Sequence, residues 1–220
     1  MHSKQGHDMK KNGYKAIVMG VSAGGLAALS RLFSDLPEGF ALPLIVVQHV
    51  HPTADRQIFD YFNSNCPLTV KEVEDKEKIL AGYVYFAPPD YHLLVERDKT
   101  FSLSIDPRVT YSRPAIDVLF ESAAYVWSSR LIGILLTGAS SDGSRGMQLI
   151  KAHGGLTIAQ DPATAEYPVM PQSAIDANAA DKILSLDGIG KFLKTLSKTG
   201  YPDRQTKIQG QADFISDVET

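Results

Sequence analysis

A single cysteine, Cys66, stands in a chain of 220 residues, so no disulfide can close within it. That usage suits a reducing compartment. No apolar run approaches the roughly 20 residues that cross a bilayer. The opening MHSKQGHDMKKNGYK lacks the apolar stretch of a signal peptide. Neither sign of charge dominates: 22 Lys and Arg face 25 Asp and Glu, a net −3. The clustered basic surface of a nucleic-acid binder is therefore missing. Internal repeats and low-complexity linkers are missing too. These absences predict a cytoplasmic protein with no membrane insertion and no nucleic-acid partner.

What is present is an ordinary globular balance, with 44% hydrophobic and 21% charged residues. The length suffices for one sizeable domain. Residues 1–14 read as a flexible lead-in and 199–220 as a polar, poorly periodic tail. The domain is expected over 15–198. Within it, short apolar runs alternate with segments of helical period. AIVMG, LPLIVVQHV, LIGILLTG and GLTIAQD read as buried strands; LTVKEV and GYVYFAPP read as shorter ones. GLAALSRLF, ADRQIFDYFNS, PAIDVLFESAAYVW, GSRGMQLIKAHG, MPQSAIDAN and LDGIGKFLKTLSK read as helices, the third with Pro114 placed at its start. HLLVERDKTFSLSI reads as a hairpin turning at RDKT. The fold class is α/β: a doubly wound, mainly parallel sheet with helices on both faces and one β-hairpin, in a single domain.

In such sheets ligands bind beyond the carboxyl ends of the strands. There the chain places GVSAGG, QHVHP, FAPPDYH, LTGASSDG and AQDPATAEYPVMP. Gly20-Val21-Ser22-Ala23-Gly24 fits G-x-S-x-G, a bend that exposes a nucleophilic serine. The same serine could instead cap a helix. A dinucleotide loop is the weakest reading, because Ser22 replaces the second glycine of G-x-G-x-x-G and the next strand ends in VVQHV without an acid. No G-x-x-x-x-G-K-[ST] occurs here. His49 ends the second strand, where an imidazole that titrates near neutrality can take a serine proton. A metal-binding His49/His51 pair is the rival, though H-x-H alone is thin evidence for zinc. Asp142 could orient the imidazole, or merely serve the turn before a helix. Asp161 and Asp90 compete with it by the same strand-end logic. The order Ser, His, Asp differs from the Ser, acid, His order of α/β-hydrolases, so a triad here belongs to another lineage.

These segments resemble one known family. GVSAGG, VVQHVHP, SRPAIDVLFESAA and ILLTGASSDGSRGM, in this order and spacing, look like the catalytic domain of CheB-type protein-glutamate methylesterases. GYVYFAPPDYHLLV and YPVMPQSAI add to the likeness, which covers roughly residues 14–195. The resemblance implies a doubly wound α/β hydrolase acting on γ-glutamyl methyl esters of chemotaxis-receptor helices, often deamidating receptor glutamines as well. It matches the catalytic serine, histidine and aspartate to Ser22, His49 and Asp142, and the oxyanion-hole amides to Ala23 and Ala139. It implies no metal and no cofactor, and leaves oligomeric state open. A small-molecule esterase with the same triad, or an inactive receptor-binding module, are the alternatives. Most relatives carry Thr after the serine and Met-Gly in the loop before the aspartate, where this chain has Ala23, Ala139 and Ser140. The relatives' preceding receiver domain is not expected here, because the first strand begins near residue 16; activity without a phosphodonor is the corresponding expectation.

Overall fold

The computed structural model describes residues 13–49 and 57–196. The expected tail, most of the expected lead-in and His51 lie outside that range. Strand β1 (Ala16–Val21) is central and buried along its whole length. Its side chains alternate between two cores, as a strand's period of two demands. Ile17, Met19 and Val21 pack with Leu29, Leu32 and Phe33 of α1 (Gly25–Ser34), Phe62 of α2 (Gln57–Asn65), and Ile189 and Leu193 of α6 (Leu186–Leu196). Ala16 and Val18 face the other way, toward Leu119 and Phe120 of α3 (Ile116–Trp127), Met147 and Ile150 of α4 (Ser144–Ala152), and Met170 of α5 (Val169–Asp176). Fully burying one such large apolar side chain stabilises by about 1.5–3 kcal/mol. Two apolar cores, one on each face, are why these strands are apolar throughout rather than alternating.

Among the described residues the main sheet has seven strands, all parallel. In addition to β1 they are β2 (Leu44–Gln48), β3 (Thr69–Glu72), β4 (Tyr83–Phe86), β7 (Leu131–Leu135), β8 (Leu156–Gln160) and β9 (Lys182–Leu184). Their spatial order is β3-β4-β2-β1-β7-β8-β9. The expected hairpin is β5 (His92–Val95) against β6 (Phe101–Ser104), antiparallel and outside the main sheet. It closes over the α3 core through Leu93 and Phe101.

Two elements differ from expectation. β9 is a three-residue edge strand with Lys182 and Ile183 exposed, too short to leave a periodic signature. Pro114 stands outside α3: Ala115 is the N-cap, and the Arg113–Pro114 peptide is cis.

The chain first winds one way from β1 through β2 to the edge strand β3, then inserts β4 between β2 and β3. It then returns to β1's other side with β7, β8 and β9. The order therefore reverses between β1 and β7, and the crevice beyond that point is where a doubly wound sheet receives ligands.

Candidate active site

Ser22 follows β1 at this crevice, half-buried. Register sets its neighbours. Val21 pairs with Gln48, so His49 emerges beside Ser22, and the His49 N–H donates to Val21 O at 3.0 Å. On the other flank the Ser22 N–H donates to Thr137 O at 3.0 Å. The bend closes through the Gly25 N–H on Ser22 O at 2.9 Å. Ser22 is not the helix cap: Gly24, at φ 74°, holds that place and brings no side-chain cap. The left-handed dihedral is one that glycine adopts without strain.

The bend leaves space only for small groups. A Cβ on Gly25 would collide with the Gln48 side chain and Val21, and one on Gly138 would stand 2.9 Å from Ser22 Cβ. Gln48 is buried at the end of its apolar strand. Its Nε2 donates to Ser22 O at 3.0 Å and to His49 O at 3.2 Å, tying the two strand ends together.

Asp142 comes from the loop between β7 and α4 and is fully buried. Three donors converge on it. His49 Nε2 lies 3.0 Å from Oδ2. The Ile116 N–H donates to Oδ2 at 2.8 Å and the Asp117 N–H to Oδ1 at 3.0 Å. The last two are orphan amides of the α3 N-terminus, whose N-cap Ala115 has no side chain to satisfy them. Asp142 thus caps α3 from another segment, and its third bond holds the imidazole. With Nε2 turned to Asp142, the tautomer this contact favours carries its proton on Nε2 and leaves Nδ1 free to accept. No hydrogen bond joins the Ser22 hydroxyl to the imidazole in this arrangement, as is common before substrate closes a site.

The rival acids are occupied elsewhere. Asp161 caps a short turn, accepting the Ala163 N–H at 3.0 Å. Asp90 pairs with Arg108 at 3.2 Å. Among the described residues no group of three or more His, Cys, Asp or Glu is placed to hold a metal ion.

The amides of Ala23 and Ala139 have no acceptor among the described residues. Ala139 is exposed and follows Gly138, on which an added Cβ would stand 2.9 Å from Ser22 Cβ. Free donors near a serine, with the N-terminal end of α1 beside them, can stabilise a developing oxyanion.

Comparison with known proteins agrees with this geometry. The family model described as CheB methylesterase matches residues 17–193. The chain belongs to the CheB methylesterase family. The crystal structure of the Thermotoga maritima CheB methylesterase catalytic domain superposes with a TM-score of 0.80 at 35% identity, over 84% of this chain and 99% of that one. A Leptospira interrogans protein provisionally named a protein-glutamate methylesterase/protein-glutamine glutaminase is 49% identical, over 87% of this chain and 99% of its own length. A Caulobacter vibrioides enzyme of the same name is 35% identical over 84% of this chain, which spans only 54% of that relative. No helix among the described residues of this CheB-family chain is long and apolar enough to cross a membrane.

Sequence reasoning missed three residues that shape this CheB-type site: Gln48, Thr137 and Asp117. Thr137 Oγ1 donates to Ala23 O at 3.0 Å and receives the Tyr167 N–H at 2.9 Å. Asp117 Oδ1 receives the Gly146 N–H at 2.7 Å. Burial pushes the Asp117 carboxyl above its ordinary range; the Gly146 amide opposes that rise and the nearby Asp142 charge adds to it. The available signal was polarity: all three sit at the edge of apolar segments, where a buried polar group must find a partner.

Proposed function

We propose that the protein is a protein-glutamate methylesterase that hydrolyses γ-glutamyl methyl esters on chemotaxis-receptor helices, with Ser22 as nucleophile, His49 as base and Asp142 as its orienting acid. The observation that carries this reading is the contact of buried Asp142 with His49 Nε2 at 3.0 Å, beside Ser22 at the switch point of the sheet. His49 Nδ1 takes the Ser22 proton as Oγ attacks the ester carbonyl. Asp142 stabilises the imidazolium that forms. The Ala23 and Ala139 amides receive the tetrahedral oxyanion. Its collapse breaks the bond to the methoxy group, which leaves as methanol with the proton from His49. Water, deprotonated by His49, then attacks the acyl-serine; the glutamate carboxylate leaves and Ser22 regains its proton. A glutamine side chain would follow the same route with ammonia in place of methanol, so deamidation is the accompanying activity.

The test is methanol release from a methylated receptor fragment, with wild type and Ser22→Ala side by side. Release by wild type alone supports the reading. Hydrolysis of small esters without action on the fragment would make the protein a small-molecule esterase. Binding of the fragment without turnover would make it a docking module.

A further inference from the structure

The loop between β8 and α5 folds back over the serine bend and is held there by backbone bonds. The Gly138 N–H donates to Tyr167 O and the Met170 N–H to Gly138 O, both at 2.9 Å. Thr137 Oγ1 bridges Ala23 and Tyr167. This clamp fixes the residue just before Tyr167, which is Glu166. Its side chain lies flat on Gly24: a Cβ there would stand 2.8 Å from Glu166 Oε2 and 3.0 Å from its Cβ. Gly24 is two residues beyond Ser22. A carboxylate therefore sits at the mouth of the site, exposed, with no ion pair or hydrogen bond among the described residues. Near it in the chain, Leu26 of α1 and Tyr167 and Val169 of the clamped loop are exposed.

We infer that Glu166 sets the charge preference of the site: it favours ester-bearing segments flanked by cationic side chains and turns away those flanked by carboxylates. The inference rests on the methylesterase reading. Its physical basis is the charge change of that reaction. The substrate side chain is a neutral ester, whereas the product, and every unmodified glutamate on the same helix, is an anion. The N-terminus of α1 attracts anions. Left alone, it would hold product and competing glutamates at the site. Glu166 lies on that terminus and opposes the attraction, so neutral side chains enter and the product leaves. A lysine or arginine beside the ester would pair with it across the rim.

The experiment uses three helical peptides of equal length, each with one γ-methyl glutamate, flanked by lysines, glutamates or alanines. Methanol release gives kcat/KM for wild type, Glu166→Gln and Glu166→Lys. The readout is the lysine-to-glutamate ratio, in which effects common to all esters cancel. The ratio should fall about three- to tenfold in Glu166→Gln, the size expected of exposed charges, and invert in Glu166→Lys. Raising the salt to about 1 M, where the screening length is ~3 Å, should shrink the wild-type preference. Circular dichroism checks that the variants are folded. A ratio within about twofold of wild type in both variants overturns the assignment of Glu166 while leaving the esterase reading intact. No turnover of any peptide by wild type overturns that reading and this inference with it.

Discussion

Asp142 and Asp117 cap each other's helices. Asp142, just ahead of α4, accepts the Ile116 and Asp117 amides at the start of α3. Asp117, in the first turn of α3, accepts the Gly146 amide of α4 at 2.7 Å. Each carboxylate thus satisfies donors that its neighbour's helix cannot satisfy itself. The arrangement locks α3 to α4 at the point where Asp142 must reach His49. It also places two acids side by side in a buried site, which raises the cost of ionising Asp117.

That cost has a measurable sign. Burial, aided by the Asp142 charge, lifts the folded-state pKa of Asp117 above its ordinary 3.8. A raised carboxyl binds its proton more tightly when folded. Its contribution to stability is present below the unfolded value and is lost as pH rises through the folded one. Asp117→Asn keeps an acceptor for Gly146 and cannot ionise. The difference in melting temperature between variant and wild type should therefore move in the variant's favour as pH rises from about 4 to 7. Melting curves across that range check it; a constant difference would mean that Asp117 ionises as freely as in water.

Ser22→Ala should abolish hydrolysis and leave the fold intact. The side chain lies on a bend outside both cores and no hydrogen bond of its hydroxyl supports the structure. Losses for a triad serine reach about a million-fold. Methanol release, measured beside a melting curve, separates lost chemistry from lost folding.

The fold was legible because its strands are buried on both faces and its helices amphipathic, patterns that survive in the sequence as period and composition. The serine and histidine were legible because both immediately follow apolar strands. The choice of Asp142 over Asp161 and Asp90 was not legible from spacing. It depends on a loop that carries one carboxylate back across the sheet to the start of α3, and only the family resemblance favoured it. β9 left no pattern because three residues at an exposed edge show no period. Gln48 escaped notice for a related reason: its partner, Ser22 O, lies far off in sequence.

Asp142→Asn should be far more damaging than Asp161→Asn. An amide can accept at one atom only, so its NH₂ faces either the Asp117 amide, in the place of Oδ1, or the Ile116 amide and the imidazole together, in the place of Oδ2. In the second orientation the imidazole favours the wrong tautomer, a change that costs about ten-thousand-fold in a serine protease. A buried unpaired donor costs a further ~1–3 kcal/mol of stability. Asp161 accepts a single turn amide at 3.0 Å, and Asn can do the same. Steady-state rates and melting temperatures of both variants check the ranking.

Two glycine substitutions separate space needed for chemistry from space needed for packing. A Cβ on Gly138 would stand 2.8 Å from Met170 Sδ and 2.9 Å from Ser22 Cβ. The thioether is the end of a flexible chain and can turn aside. Ser22 Cβ is the root of its side chain and can yield only if the bend moves. A displacement of about 1 Å at the nucleophile is enough for a hundredfold loss of rate. Gly133, in β7, faces the α4 core instead: its added Cβ would stand 2.6 Å from Ile150 Cδ1 and 3.3 Å from Met147 Sδ. Overpacking of that kind costs about 1–3 kcal/mol and need not reach the site. Gly138→Ala should therefore lower kcat/KM by about a hundredfold with a small change in melting temperature. Gly133→Ala should lower the melting temperature and leave kcat/KM within a few-fold of wild type. A Gly138→Ala enzyme with the wild-type rate would show that the bend adapts, and that the contact with Gly138 does not position Ser22.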